Sequence, residues 1–154
     1  FLFSRAVRKA RNIISVSRAT EKDLLNFEHP ESNAIRVVHE APGEKFYKRD
    51  EQEVQATLSS LGISQPYFVY VGNAKEHKRV SLLLEAFSTL DDEDTLLVLA
   101  TGGKEAESLR LPPRVLRKDH LSDDELSCLY SGAKSFVTAS ALEGFCLPIV
   151  EAQA

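Results

Sequence analysis

From about residue 66 onward, short apolar runs alternate with segments whose apolar residues recur every three to four positions. Short runs rich in β-branched and aromatic residues are typical of buried strands, and the longer spacing is typical of amphipathic helices. The pattern therefore predicts four strands, each followed by a helix. The strands are predicted at 66–72, 95–103, 114–116 and 134–140, and the helices at 78–90, 104–110, 122–133 and from Pro148 onward.

The helix predicted at 78–90 has one continuous apolar face, which we expect to pack on the sheet. The face is formed by Val80, Leu83, Leu84, Phe87 and Leu90.

Two helix ends carry strong local signals. Ser122 is followed three residues later by Glu125, which is the spacing of a capping box. Gly62 follows a helix predicted from about Asp50 to Leu61, and we expect it to end that helix in a left-handed conformation.

The first part of the chain is less regular. It predicts a basic amphipathic helix at 2–11, a strand at 12–17, a helix at 18–27 capped near Thr20, and a strand at Ile35–Val38. We predict that residues 1–46 are the end of one domain with its linker, and that residues 47–154 form a second domain.

Alternating strands and helices imply right-handed βαβ units, so we predict an α/β fold with a Rossmann-like parallel sheet and helices on both faces. Ligands of such sheets bind outside the carboxyl ends of the strands. The candidate loops are Gly72–Lys78, Thr101–Lys104, Lys118–His120 and Ser140–Glu151.

Composition narrows the class of partner. The formal net charge is −4, with 43% hydrophobic and 27% charged residues. Nucleic acid is therefore an unfavourable partner, because its binding usually needs a basic surplus.

Cys128 and Cys146 show no metal-ligand spacing, and we expect two reduced thiols in a cytoplasmic protein. The sequence has no methionine and begins on Phe1, so we expect a longer product, incomplete at both ends of this chain.

The stretch "SALEGFCLPIVEAQA" places seven residues between Glu143 and Glu151. Pro148 suits the first turn of a helix, because its missing N–H would be unpaired there. The amides that precede it are then available to phosphate or hydroxyl oxygens, and Gly144 allows close approach of a ligand. Two flanking carboxylates could accept hydrogen bonds from sugar hydroxyls. On spacing alone they could equally be a loop acid and a helix acid that favours the macrodipole.

This stretch resembles the E-x7-E signature of the retaining GT-B glycosyltransferases of family 4, also called glycosyl transferases group 1. "YFVYVGNAKEHKRVSLLLEAF" (67–87) is similar to the opening of that family's donor-binding domain. "RNIISVSRATEKDLL" (11–25) and "IRVVHEAP" (35–42) resemble the end of the first domain and the crossing to the second. "HLSDDELSCLYSGAKSFVTAS" (120–140) resembles the helix and strand that lead to the signature.

The resemblance implies roles for the signature residues. Glu151 matches the glutamate that binds the ribose hydroxyls of the nucleotide, and Glu143 matches the glutamate beside the transferred sugar. The loop amides that would hold sugar and phosphate are those of Gly144, Phe145, Cys146 and Leu147. Cys146 replaces a common glycine, which is tolerable if the position needs no positive φ.

The resemblance also implies a diphosphate site in the loop after the strand at 66–72. Lys78 matches the lysine whose cation stabilises the leaving diphosphate, although a plain surface lysine at a helix start remains an alternative. Asn73 follows Gly72 where many members have arginine, which puts a two-cation clamp in doubt. The base would rest near Arg117–His120, and His120 is otherwise a solvated loop residue.

The implied function is a retaining glycosyltransferase that moves a sugar, such as mannose or a related hexose, from a nucleotide-diphosphate sugar to a glycan, lipid or other acceptor. Neither a metal nor a cofactor is expected. The basic start of the chain could contact an anionic membrane through Arg5, Arg8, Lys9 and Arg11, which would place the protein at its inner, cytoplasmic face. A solvated helix face is the alternative for these residues. A non-catalytic nucleotide-sugar-binding module is the alternative. A glycoside hydrolase fits less well, because its substrate lacks the phosphate that the amides would hold.

Overall fold

The computed structural model describes residues 2–28 and 35–154. Phe1 and residues 29–34, which belong to the predicted first segment, lie outside the described residues. The chain forms two compact units. One contains the described residues up to Ala41 together with Glu143–Leu147, and the other contains Pro42–Leu142 together with Pro148–Ala154. The boundary predicted after residue 46 stays a prediction.

The first unit is built on a two-stranded parallel sheet. Strand β1 pairs with β2 so that Ile13 lies opposite Ile35. Its elements are α1 (Leu2–Lys9), β1 (Ile13–Ser15), α2 (Arg18–Phe27) and β2 (Ile35–Val37). Each of the four lies within, or matches, its predicted range.

The start of α2 corrects one prediction. The capping residue is Ser17, whose extended backbone has φ −153° and whose hydroxyl accepts a hydrogen bond from the Thr20 amide at 3.1 Å. Thr20 is therefore the third residue of the helix and not its cap. An extended residue immediately before the first helical residue is the geometry that capping requires.

The second unit contains a four-stranded parallel sheet in the order β5-β4-β3-β6, with helices packed on both of its faces. The predicted fold class is therefore confirmed. Its elements in chain order are α3 (Glu51–Ser60), β3 (Tyr67–Val71), α4 (Val80–Ser88), β4 (Leu96–Ala100), α5 (Lys104–Glu107), β5 (Val115–Lys118), α6 (Asp123–Gly132), β6 (Ser135–Phe136) and α7 (Leu147–Gln153), whose first residue belongs to the first unit.

The core of this unit has one layer on each face of the sheet. Alternate residues of a strand point to opposite faces, so Val69 and Val98 face α3 and α6, whereas Tyr70 and Leu97 face α4. The first layer contains Val54, Leu58, Ile63, Tyr67, Val69, Leu96, Val98, Cys128, Leu129 and Tyr130. The second contains Tyr70, Val80, Leu84, Phe87, Leu97, Leu99 and Val115.

Helix α4 starts later than predicted. Arg79 has φ 48° and ψ 41°, a left-handed conformation that separates α4 from a 3-10 turn at Glu76–Lys78. Val80, Leu84 and Phe87 are buried as predicted. Leu90 is 45% exposed, because α4 ends at Ser88 and Leu90 no longer follows the helical face.

Strands β5 and β6 also differ from their predicted ranges. Arg114 has φ 65°, which a strand residue cannot adopt, so β5 begins at Val115 and continues to Lys118. Strand β6 is limited to two residues, but pairing continues on both sides of it. The amides of Lys134 and Val137 donate to the carbonyls of Tyr67 and Val69, each at 2.8 Å.

The predicted helix ends are confirmed. Gly62 has φ 67°, and the Ile63 amide donates to the Leu58 carbonyl at 2.9 Å, which closes a Schellman motif after α3. At α6, the side chains of Ser122 and Glu125 form the reciprocal bonds of a capping box. Each bond satisfies a backbone group that would otherwise be unpaired at a helix terminus.

Candidate functional site

The strand order creates a crevice at the carboxyl end of β3. Strand β3 has β4 on one side and β6 on the other, so the chain leaves β3 in one direction and returns on the opposite side. This is the switch point at which parallel sheets bind ligands. The loops after β3 and β6 are bonded directly: the Ala141 amide and the Ser140 hydroxyl both donate to the His77 carbonyl, at 2.8 and 3.3 Å.

The loop after β3 is held by its own side chains. Gly72 has φ 144°, and an added Cβ would lie 3.2 Å from the Tyr70 hydroxyl oxygen. That hydroxyl donates to the Asn73 carbonyl at 2.7 Å, and the Asn73 side chain accepts from the Lys75 amide at 3.2 Å. Asn73, which stands where many family members have arginine, thus shapes the loop through hydrogen bonds.

Lys78 ends the 3-10 turn that follows this loop and is half-buried. Its amide donates to the Lys75 carbonyl at 2.9 Å, and the left-handed Arg79 follows it. Lys78 thus lies two residues before α4, which begins at Val80, and its role as a diphosphate-binding or a surface lysine stays a prediction.

The predicted sugar-side loop, Glu143–Leu147, belongs to the first unit. Within that unit, Thr20 Oγ1 donates to the Gly144 carbonyl at 3.4 Å. The Phe145 ring stacks on His39 with 5.7 Å between ring centroids and 25° between planes. The ring nitrogen Nδ1 of His39 lies 3.1 Å from the Val16 carbonyl oxygen, so the imidazole is itself held in place.

Cys146 corrects the expectation that its position needs no positive φ. Its φ is 67°, in the left-handed region that glycine adopts without cost. For a residue with a Cβ, this conformation costs about 1–2 kcal/mol. Helix α7 begins at the next residue, Leu147, and Pro148 lies in its first turn as predicted.

Glu151 lies on α7 and is half-buried. Its carboxylate oxygen Oε2 accepts a hydrogen bond from the Tyr130 hydroxyl at 2.9 Å. Burial raises the pKa of the Glu151 carboxyl, the hydrogen bond from Tyr130 opposes that rise, and the nearby Asp123 carboxylate adds to it. Glu151 also lines a cavity of about 230 Å³ between α6, α7 and the segment before α3.

The other two candidate loops also lie at carboxyl ends of strands. An added Cβ on Gly102, after β4, would lie 3.5 Å from Cβ of Asp119, after β5, so these two loops pack together. Gly103 has φ 89° and His120 has φ 52°. His120 is exposed, in agreement with a solvated loop residue.

Sequence reasoning missed two contacts around the signature. It did not assign Tyr130 to Glu151, and it gave no role to His39 beside Phe145. A buried tyrosine hydroxyl usually needs a hydrogen-bond partner, so the apolar setting of Tyr130 in "LSCLYSGA" was a usable signal. His39 carried no comparable signal, because its stacking partner lies far along the chain.

Two features are absent from the described part of the chain. Residues 2–28 and 35–154 contain no group of three or more His, Cys, Asp or Glu side chains arranged to hold a metal ion. Within the same ranges, no helix is both long and apolar enough to cross a membrane.

Comparison with known proteins identifies the family. The family model described as "Glycosyl transferases group 1" matches residues 57–154, which contain the parallel sheet and both loops of the crevice. The chain belongs to this family. The resemblance stated from the motifs is thereby confirmed.

Two curated relatives have mannosyltransferase names. The chain is 25% identical over 162 residues to the O-antigen chain mannosyltransferase RfbU of Salmonella typhimurium, covering 100% of this chain and 42% of that protein. It is 26% identical over 155 residues to the O-antigen chain mannosyltransferase B of Escherichia coli, covering 93% of this chain and 41% of that protein. The chain thus spans less than half the length of these relatives.

A solved structure shows the same fold. The Anabaena protein Alr3699/HepE, crystallised with UDP and glucose, matches with a TM-score of 0.78 at 18% identity, over 96% of this chain and 43% of that one.

Proposed function

We propose that the chain is the donor-binding part of a retaining glycosyltransferase that uses a nucleotide-diphosphate sugar. The observation that carries this proposal is the crevice at β3, where the loops after β3 and β6 are joined through the His77 carbonyl. Family membership supports the reaction class. The crevice supports the substrate class, because a switch point of a parallel sheet is where nucleotides bind.

The proposed roles follow from the chemistry of each group. Glu151 accepts hydrogen bonds from the ribose hydroxyls, because an ionised carboxylate has acceptor sites for both. Glu143 lies beside the transferred sugar and accepts hydrogen bonds from its hydroxyls. Lys78 stabilises the negative charge that grows on the diphosphate as the glycosidic bond breaks.

Backbone amides complete the proposed donor site. Those of Gly144, Phe145, Cys146 and Leu147 precede or open α7 and serve sugar hydroxyls and phosphate. The cation of Lys78 can offset the charge of the diphosphate without a metal ion, so we propose a metal-independent reaction.

The proposed sugar is mannose or a related hexose. Both curated relatives described above are named mannosyltransferases, and the HepE structure holds UDP and glucose. A GDP- or UDP-hexose is therefore the donor that we propose, with a glycan or lipid-linked glycan as acceptor.

A membrane contact through α1 is a further part of the proposal. Leu2 and Phe3 are 82% and 64% exposed, and Arg5 and Arg8 are also exposed on the same short helix. Apolar side chains beside cations suit an anionic bilayer surface. This contact would place the enzyme in the cytoplasm at the inner face of the membrane.

The test uses the full-length protein and a panel of GDP-, UDP- and ADP-hexoses. Ligand binding raises the melting temperature by mass action, so a thermal-shift series ranks the donors. We expect a GDP- or UDP-hexose to rank first, and Glu151→Gln to weaken its binding at least about tenfold by removing a charged acceptor. Glu85→Gln, on the exposed side of α4, is the matched control and should bind like the wild type.

Turnover separates the remaining outcomes. A product whose anomeric configuration equals that of the donor supports the retaining mechanism, and an inverted product contradicts it. Binding without transfer to any acceptor would favour the non-catalytic module. If no nucleotide sugar binds and Glu151→Gln changes nothing, the site assignment is wrong.

A further inference from the structure

The hydrogen bond between Tyr130 and Glu151 joins two helices that enclose the same cavity. Tyr130 lies on α6 and Glu151 on α7, and both line the cavity of about 230 Å³. The bond, 2.9 Å from the Tyr130 hydroxyl to Oε2, has a favourable length for an O–H donor and a carboxylate. It fixes one oxygen of Glu151 against α6.

The hydroxyl of Tyr130 is itself held rigidly. The residue is 8% exposed. Its ring packs edge-on against Phe46 with centroids 6.0 Å apart, and in a tilted arrangement against Phe136 with centroids 6.3 Å apart. The preceding carbonyl, that of Leu129, accepts a hydrogen bond from the buried Tyr67 hydroxyl at 2.8 Å. A donor on so well-packed a helix restrains the carboxylate that it contacts.

We propose that Tyr130 is a positioning residue for nucleotide-sugar binding, which orients the Glu151 carboxylate for the ribose hydroxyls. The inference rests on the proposed function of Glu151 and extends it to a residue with no signature of its own. Tyr130 acts through its hydrogen bond to Glu151.

The electrostatics around Glu151 explain why such a residue is needed. The pKa of the Glu151 carboxyl is raised by burial and by Asp123, so both factors oppose the charged form that accepts ribose hydroxyls. The hydrogen bond from Tyr130 favours the charged form. Tyr47 and Lys48, from the segment before α3, are the remaining titratable groups that line the cavity with Glu151.

The experiment measures donor binding by Tyr130→Phe in the full-length protein between pH 5 and pH 8. The probe is whichever GDP-, UDP- or ADP-hexose the wild type binds most tightly. Loss of the hydroxyl should weaken donor affinity about tenfold at neutral pH, which is the size of effect that losing a hydrogen bond to a charged group produces. Donor affinity falls as the pH is lowered and Glu151 becomes protonated. In Tyr130→Phe this fall should occur at higher pH, because the hydrogen bond that lowers the pKa of Glu151 is gone.

A purely structural role would look different. Tyr130→Phe keeps the ring and its contacts, so we expect the melting temperature to fall only by the few degrees that one lost hydrogen bond costs, while donor KM rises and kcat at saturating donor is largely retained. Ser60→Ala is the control: it removes an exposed hydroxyl that donates to the Thr57 carbonyl at 2.8 Å within α3 and does not line this cavity. It should keep the affinity and pH profile of the wild type.

A double variant makes the inference refutable. In the Glu151→Gln background, Tyr130→Phe should cost much less affinity than it costs in the wild type, since the two residues act as a unit. An equal cost in both backgrounds, or a wild-type affinity and pH profile in Tyr130→Phe alone, overturns the role of Tyr130 and leaves the proposed function standing. If the wild type binds no hexose of the panel, the proposed function fails and this inference fails with it.

Discussion

Gly132 closes α6 at a place where the chain cannot accommodate a methyl group. A Cβ added there would lie 2.8 Å from the Tyr67 hydroxyl oxygen, 2.9 Å from Val54 Cγ1 and 3.0 Å from Leu58 Cδ1. These three side chains are at most 7% exposed, and they belong to the core layer between α3, α6 and the sheet. Gly132→Ala therefore tests how tightly α6 packs on this layer.

The expected cost can be worked out from opposing contributions. Carbon atoms pack best at about 3.5–4.0 Å, so the added methyl overlaps all three neighbours, and overpacking of this kind costs about 1–3 kcal/mol. Replacing glycine by alanine within a helix stabilises the folded state by about 0.5–1 kcal/mol, which offsets part of this cost. If the Tyr67 hydroxyl is pushed off the Leu129 carbonyl, a further ~1 kcal/mol or more is lost. The sum is a destabilisation of about 2 kcal/mol.

The assay is urea unfolding followed by circular dichroism. We expect a lower midpoint at an unchanged slope, and a melting temperature lower by about 4–8 °C, as about 2 kcal/mol gives for a domain of this size. In the double variant Gly132→Ala/Tyr67→Phe, the closest contact is removed. Its destabilisation should therefore be smaller than the sum of the two single effects.

The matched control is Gly43→Ala. Its added Cβ would lie 3.6 Å from the Phe46 ring, which is an ordinary contact distance. Stability should stay unchanged or rise by up to about 1 kcal/mol, because alanine restricts the unfolded chain. If Gly132→Ala is as stable as the wild type while Gly43→Ala is neutral, α6 does not pack as tightly on α3 and Tyr67 as these distances indicate.

Two other stability predictions concern single hydrogen-bonding groups. Ser122→Ala removes the capping box that Ser122 forms with Glu125, so we expect a loss of about 1 kcal/mol in urea unfolding, and an unchanged midpoint would contradict the role of the cap. Asp92 has its pKa lowered, first by the hydrogen bond from the Thr95 hydroxyl at 2.6 Å. The resulting stabilisation is complete above about pH 4, the ordinary pKa of Asp, and disappears as the pH falls through the lowered pKa of the folded state. Asp92→Asn should therefore be less stable than the wild type at pH 7, by a difference that shrinks as the pH falls below about 4, and a pH-independent difference would contradict this linkage.

The sequence predicted the fold class because each strand and helix carries its own periodicity. Short runs rich in β-branched and aromatic residues, such as that around Val69, are typical of buried strands, and their alternation with helices favours a parallel sheet. Helix ends marked by local chemistry, at Gly62 and at Ser122, were also predictable, because the groups that form a cap are neighbours along the chain.

Element boundaries within the loops needed the tertiary structure. The left-handed conformations of Arg79, Arg114 and Cys146 shift or end the predicted elements. A positive φ cannot be predicted from a non-glycine residue type, because the backbone of such a residue intrinsically prefers negative φ. Such conformations persist only where the surrounding structure enforces them.

Some features of the candidate site were likewise predictable from the sequence, and others needed the tertiary structure. The sequence by itself determined the loops that follow the strands, the two glutamates of the signature and the family. Only the tertiary structure decided that β6 lies beside β3, that the His77 carbonyl joins their loops, and that Tyr130 donates to Glu151. The physical reason is distance along the chain: periodicity and capping act over a few residues, whereas these contacts join segments tens of residues apart, which only the packed sheet brings together.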